Sequence, residues 1–298
     1  MKLYRDYADY LAERFPCKMQ KLTVNAHFSC PNRDGSIGYG GCSYCNNNSF
    51  SPAIEGNSIT QQLINSRQFF AHKYPNMRYI AYFQSYTNTH APIDRLLNLY
   101  NEALSVDGVD AIIIGTRPDC ISAPLLDALA EINRHHRVII EYGAESSHDS
   151  TLQLVNRCHS WQCVVDAVEM TKQRGIDVGL HFIIGLPGEN TEMIMQTVDA
   201  INHVKPDTVK FHQLQLIRNT RLAQQVENGE IEIPRFSVEQ YINLCCDIIH
   251  RIDPSIAIER FVSQAPDNLL IYPRWGLKNY QFTNLLNNAL LNTTKKHR

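Results

Sequence analysis

Apolar residues along this chain gather into six short runs, each followed by a stretch patterned as a helix: 21–28 (KLTVNAHF), 78–85 (RYIAYFQS), 109–115 (VDAIIIG), 137–143 (RVIIEYG), 177–185 (DVGLHFIIG) and 208–216 (TVKFHQLQL). Within several of them the apolar positions are consecutive, as in Ala111-Ile112-Ile113-Ile114. Such runs suit strands buried on both faces of a parallel sheet. Parallel strands need crossovers, and helix starts are legible at Ser58 with Gln61, at Pro92, at Ser122 with Pro124, at Ser160, at Asn190, and at Ser237 with Gln240. Gly175 stops the helix that follows Ser160. Six strand-then-helix units predict an α/β fold with a barrel-like or doubly wound sheet, a further strand at 256–263 and a final helix near 279–294.

The unusual polar segments sit directly after strands. A cysteine loop follows the first, QSYTNT (84–89) the second, TRPDC (116–120) the third and GLPGE (185–189) the fifth, while GAES (143–146) closes the fourth. In a β/α barrel the carboxyl ends of the strands carry the active site, so these segments are expected to converge on one mouth.

A length of 298 residues suggests two domains at ~150 residues each, although an α/β barrel can use about 200–250 as one unit. With 28 basic and 30 acidic residues the net charge is −2, which gives no overall attraction to nucleic acid or to an anionic membrane. Hydrophobic residues at 44% exclude a disordered chain. No run approaches the ~18 apolar residues of a membrane span, and the first residues lack the apolar core of a secretory signal, so a cytoplasmic protein is expected. Nine cysteines in a reducing compartment then need an account other than disulfides. Cys17, Cys120, Cys158, Cys163, Cys245 and Cys246 are scattered and read as small buried hydrophobes.

Cys30, Cys42 and Cys45 are different: they form a C-x11-C-x2-C loop holding Gly35, Gly38, Gly40 and Gly41. An electron-transfer iron–sulfur cube uses four thiolates, so three would leave one iron open for chemistry. Glycine supplies the positive φ needed to fold a chain tightly around such a centre. The alternative is a zinc-stabilised binding module, with His27, placed on the first strand, completing a Cys3His set.

Three cysteines closing in Cys-x-aromatic-Cys, with Tyr44 before the last and the first strand just ahead, resemble the radical S-adenosylmethionine (SAM) superfamily. The eleven-residue first step is similar to the branch containing the catalytic subunit of Elongator, and more so to the bacterial YhcC-type proteins, whose loop also reads CPNRDG, then GGC and C. TRPDC, GAESSHDSTLQLVNR (143–157) and GLPGE also resemble segments of that branch, and the likeness runs from Lys21 to Ile217.

The resemblance implies a partial (β/α)6 TIM-like barrel at 21–236, an N-terminal helical extension at 1–20 and a C-terminal strand/helix extension at 237–298. It implies an enzyme, an oxidoreductase or a transferase, that binds a [4Fe–4S] cluster through Cys30, Cys42 and Cys45 and reductively cleaves SAM to a 5′-deoxyadenosyl radical. By the same likeness Tyr44 packs beside adenine, Glu145 meets the ribose and Arg157 the methionine carboxylate. His181 stands at a place often acidic in a related branch, and the Gly185–Gly188 turn, with Pro187, approaches the adenine. Where many members hold the SAM ammonium on a glycine pair, this chain has Gln84, Ser85 and Thr87. Cys120 is the candidate substrate-side thiol or hydrogen donor. The implied partners are a flavodoxin- or ferredoxin-type reductant and an unidentified substrate, RNA by analogy with Elongator, with no membrane. Arg33, Arg117, Arg218, Arg221, Arg274, Lys278, His90, His212, Gln213 and Gln215 are further candidates for the mouth.

Overall fold

The computed structural model describes residues 3–46, 58–71 and 77–296. Helix α1 (Tyr7–Arg14) precedes an alternation of β1 (Met19–Val24), α2 (Ile59–Ala71), β2 (Arg78–Phe83), α3 (Ile93–Leu104), β3 (Val109–Thr116), α4 (Ala123–Asn133) and β4 (Arg137–Glu145). The chain continues through α5 (Asp149–Leu154), α6 (Trp161–Lys172), β5 (Asp177–Ile184), α7 (Thr191–Val204), β6 (Thr208–Gln213), β7 (Leu216–Ile217) and α8 (Arg221–Glu227). It ends with α9 (Val238–Arg251), β8 (Ala257–Arg260), β9 (Leu270–Tyr272) and α10 (Asn279–Lys296). The expected caps are formed: the side chains of Ser122, Ser160, Asn190 and Ser237 each accept a backbone N–H of the first turn, and Gln240 completes a capping box with Ser237.

Strands β1 to β6 and β8 form one parallel sheet in that order, and β7 pairs with β9 separately. The strand near 256–263, placed on sequence in the C-terminal extension, is therefore the seventh strand of the main sheet. The sheet is strongly curled, since Lys21 on one edge strand lies 2.7 Å from Glu259 on the other, and Asp6 bridges to Ile258.

Curling explains the consecutive apolar runs. Ile112, Ile114, Val138 and Ile140 face outward under the helices, whereas Ile113, Ile139, Ile80 and Tyr82 face inward. The inner face is plugged at its lower end by α1, whose Tyr10 and the following Phe15 join that inner cluster. Tyr10 and Arg14 anchor the plug on Asp177, at 2.8 and 3.0 Å. No helix among the described residues is long and apolar enough to cross a membrane.

Candidate active site

At the carboxyl ends of the strands lies a cavity of about 420 Å³. It receives side chains from the cysteine loop and from the ends of β2, β3, β4, β5, β6 and β8, so four of the five polar segments meet at one mouth and GLPGE does not reach it.

The cysteine loop is held from outside by the chain after α5. Asn156 Nδ2 donates to the Gly41 carbonyl at 2.8 Å, Asn32 Nδ2 donates to the Asn156 carbonyl at 2.6 Å, and Ser43 N donates to the Val155 carbonyl at 2.9 Å. Gly40 and Gly41 take φ of 77° and 76°, which a side chain would resist. The result aims Cys30, Cys42 and Cys45 into the cavity. Burial pushes the Cys45 thiol up to about 11, with Cys42 and Cys30 adding to the shift and Arg33 opposing it.

Arg157 is buried among these groups. Its Nη1 donates to Cys42 Sγ at 3.5 Å and its Nη2 to the Gly143 carbonyl at 2.5 Å, with Glu145 Oε1 at 3.5 Å. Its Nε donates to His159 Nε2 at 3.0 Å, and burial together with Arg157 pulls that imidazole down to about 3, so it stays neutral. Arg117 of the TRPDC segment forks onto Asp119 at 2.8 and 2.7 Å and also donates to the Arg157 carbonyl at 2.8 Å. TRPD thus positions Arg157, a tertiary role the sequence did not reveal. Glu145 has φ of 69°, an uncommon conformation for a side-chain residue, beside a register shift between β4 and β5.

Beneath the mouth is a charged layer that the sequence reading missed, because Glu141 and Lys210 lie inside strands that read as apolar. Glu141 meets Lys21 at 3.3 Å, Lys210 at 3.0 Å and His181 Nε2 at 2.9 Å; Glu259 meets Lys21 at 2.7 Å and Lys210 at 3.2 Å. Burial alone would push the Glu141 carboxyl up, but Lys21, Lys210 and His181 hold it well below the usual range.

The expected site residues divide clearly. Cys30, Cys42, Cys45, Tyr44, Gln84, Thr87, Glu145, Arg157 and His181 line the cavity, as do Arg33, Arg117, His212, Gln213 and Gln215. Ser85, Gly185, Pro187, Arg218, Arg221, Arg274 and Lys278 do not. Gly185 packs instead towards Phe236 and Leu214, and the GLPGE segment braces β4, with Glu189 accepting from Ser146 at 2.5 Å. Cys120 and His90 line a separate shallow depression, where burial and Asp119 push the thiol up to about 12.

Two expectations are corrected. His27 lies beyond the end of β1, exposed, with φ of 53°, and does not line the cavity, because the chain has already left the sheet at Val24. Cys158 is exposed, not a buried hydrophobe, since a positive φ of 63° turns it out beside Asn32. Among the described residues no three His, Cys, Asp or Glu side chains form a group that could hold a metal ion. A cubane cluster places its thiolates on different irons, and so farther apart than ligands of one ion.

The donor set suits such a cluster with SAM. Three thiols of one shaped loop share the cavity with a buried guanidinium, and three polar atoms in its wall, Tyr44 Oη, Arg117 Nη1 and Arg260 Nε, are buried without a hydrogen-bond partner. Gly143 leaves room that a Cβ would take from Arg157 and Glu145, at 2.6 and 2.7 Å.

Residues 30–201 match the family model of the Radical SAM superfamily, and residues 206–292 match that of the Radical_SAM C-terminal domain. The chain is 34% identical to the uncharacterized protein YtqA of Bacillus subtilis over 98% of its own length and 90% of that protein. It is also 34% identical to protein YhcC of Escherichia coli, over 92% of this chain and 88% of that one. A tRNA uridine(34) acetyltransferase of Methanocaldococcus infernus is 27% identical over 41% of this chain and 23% of that protein. The solved structure of the archaeal Methanocaldococcus infernus Elp3 superposes with a TM-score of 0.69 at 18% identity, covering 93% of this chain and 63% of that chain. Similarity therefore extends past Ile217 through the last strands and helices.

Proposed function

The chain belongs to the radical S-adenosylmethionine superfamily, whose enzymes bind a [4Fe–4S] cluster and SAM, and from that premise we propose that it cleaves SAM reductively at a cluster held by Cys30, Cys42 and Cys45. The observation that carries the reading is the opening of three thiols from one loop into the same cavity as Arg157 and Glu145. When bound, the cluster and SAM supply a low-potential electron and, on carbon–sulfur cleavage, a 5′-deoxyadenosyl radical that abstracts hydrogen from a substrate.

The chain's own side chains bind and orient. Arg157 offers a planar fork suited to the methionine carboxylate, and Arg117 fixes the backbone from which it projects. Glu145 accepts from ribose hydroxyls, and Tyr44, packed on the cluster that includes Val155 and Leu186, forms an adenine wall. Gln84 and Thr87 receive the ammonium in place of a glycine pair. A flavodoxin or ferredoxin delivers the electron. RNA is the substrate class to test first, carried over from the tRNA-directed relative.

Anaerobic reconstitution with iron and sulfide tests the reading. A brown protein holding about four irons that forms 5′-deoxyadenosine from SAM and dithionite is expected. A colourless protein that retains zinc and never cleaves SAM overturns it in favour of a zinc-stabilised module. Binding of a tRNA transcript by gel retardation tests the substrate class, and equal binding of any polyanion counts against it.

A further inference from the structure

We propose that the wall made by β6 and β8 is a seat for an anionic group of the substrate, a carboxylate or a phosphate, built on Arg260 beside His212. The inference rests on reading the cavity as the catalytic chamber and identifies the chemistry of what enters it.

The charged layer contains three cations, Lys21, Lys210 and Arg260, against two carboxylates, Glu141 and Glu259. Lys21 and Lys210 each contact both carboxylates, at 2.7 to 3.3 Å. Arg260 contacts neither, and among the described residues it forms no ion pair. Its Nε is buried without a hydrogen-bond partner, and its Nη2 stands 3.4 Å from both ring nitrogens of His212, so it is aimed squarely at neither lone pair. Three cations minus two carboxylates leave one positive charge uncompensated in the cavity wall. Arg260 is half-buried with its Nε out of water, and a bound anion supplies the partner that atom lacks.

The neighbouring groups are arranged so that Arg260 keeps this role. His212 and His181 both line the cavity, and burial with the nearby Arg260 and Lys210 keeps His212 well below its ordinary value, so it remains neutral and adds a donor without a second charge. Gln213 and Gln215 are engaged with the backbone: both side-chain amides donate to the Ser263 carbonyl at 2.9 Å, and Ser263 N donates to Gln213 Oε1 at 2.9 Å. Those bonds fix the segment after β8 against β6 and thereby hold Arg260 in place. The other cavity arginines have ionic or backbone partners already, Arg117 in Asp119, Arg33 in the Cys45 carbonyl at 2.8 Å, and Arg157 in Glu145 beside the cysteine loop, where it is assigned to SAM. A planar guanidinium is the group best suited to meet a carboxylate or phosphate with two hydrogen bonds.

The test is isothermal titration calorimetry of the reconstituted full chain with inorganic phosphate, acetate and uridine 5′-monophosphate. At least one probe is expected to bind, and Arg260→Gln to weaken that binding by about tenfold or more, the scale of one charge-assisted hydrogen bond. His212→Gln, which keeps the charge balance of the layer, is expected to weaken it several-fold, and this arm stands if the arginine variant does not fold. Preference for acetate points to a carboxylate substrate, and preference for the nucleotide or phosphate to a phosphorylated one. Absence of binding by every probe, or affinities unchanged in both variants, overturns the proposal. Wild-type protein that binds the anion through Arg260 but never forms 5′-deoxyadenosine sinks the catalytic reading alone, whereas protein that forms it but binds no probe sinks the anion seat alone.

Discussion

Replacing Glu141 by Gln tests the charged layer directly. The side chain is 2% exposed and holds Lys21, Lys210 and His181 within 3.3 Å. The amide keeps the shape but removes the charge, leaving three cations against Glu259 alone. Removing one partner of a buried ion pair typically costs ~3–5 kcal/mol, which for a chain of this size lowers the melting temperature by on the order of 10 °C. Urea unfolding followed by far-UV circular dichroism measures the loss. The double variant Glu141→Gln/Lys210→Met leaves two cations and one carboxylate, the same net charge as the original layer, and should recover at least half of it. Because the folded carboxyl lies below its ordinary value, its contribution is complete above ~4.5 and is lost as pH falls from there towards the folded value. The gap between wild type and variant should therefore hold from neutrality down to about that pH and narrow below it. A loss under ~1 kcal/mol, or a double variant no better than the single, would refute the claim that unpaired charge sets the cost.

Other outcomes follow from the same geometry. Cys42→Ser is expected to abolish most iron retention after reconstitution while the far-UV spectrum stays native; full iron content in the variant would remove Cys42 from the ligand set. Gly143→Ala places a methyl 2.6 Å from Arg157 Nη2, so SAM affinity measured by equilibrium dialysis should fall about tenfold or more, and an unchanged Kd would remove Arg157 from the SAM contacts. His159 is pulled down to about 3, and His181 and His212 are also lowered, all first by burial. The unfolded chain binds their protons first, so stability should fall as pH drops below ~6.5, by up to ~1.4 kcal/mol per unit for each histidine. Glu189 and Asp207, raised by burial, act in the opposite sense. Urea midpoints that rise on acidification from neutrality would contradict the histidine assignment.

Much of the scaffold was readable locally. Strands were marked by their apolar runs, helices by Ser122, Ser160, Asn190 and Ser237, and the loop of Cys30, Cys42 and Cys45 by spacing and glycine content, because each depends on residues near one another in the chain. The convergence of four of the five polar segments also followed from parallel strands, whose carboxyl ends share one side, while GLPGE turned away to brace the chain after β4.

Other features depended on closure. A strand apolar on both faces does not say which face turns inward, so the pairing of Glu141 with Lys21 and Lys210 became visible only when the sheet curled and brought strands 69 to 120 residues apart into contact. The same holds for Arg117 grasping the carbonyl of Arg157, for the brace between Ser146 and Glu189, and for the uncommitted Arg260. Local sequence determined the elements and the reactive loop through propensity, capping and spacing. Only the tertiary structure decided which charges neutralise one another and which remains available, because Coulomb energy depends on distance in space and on the removal of water.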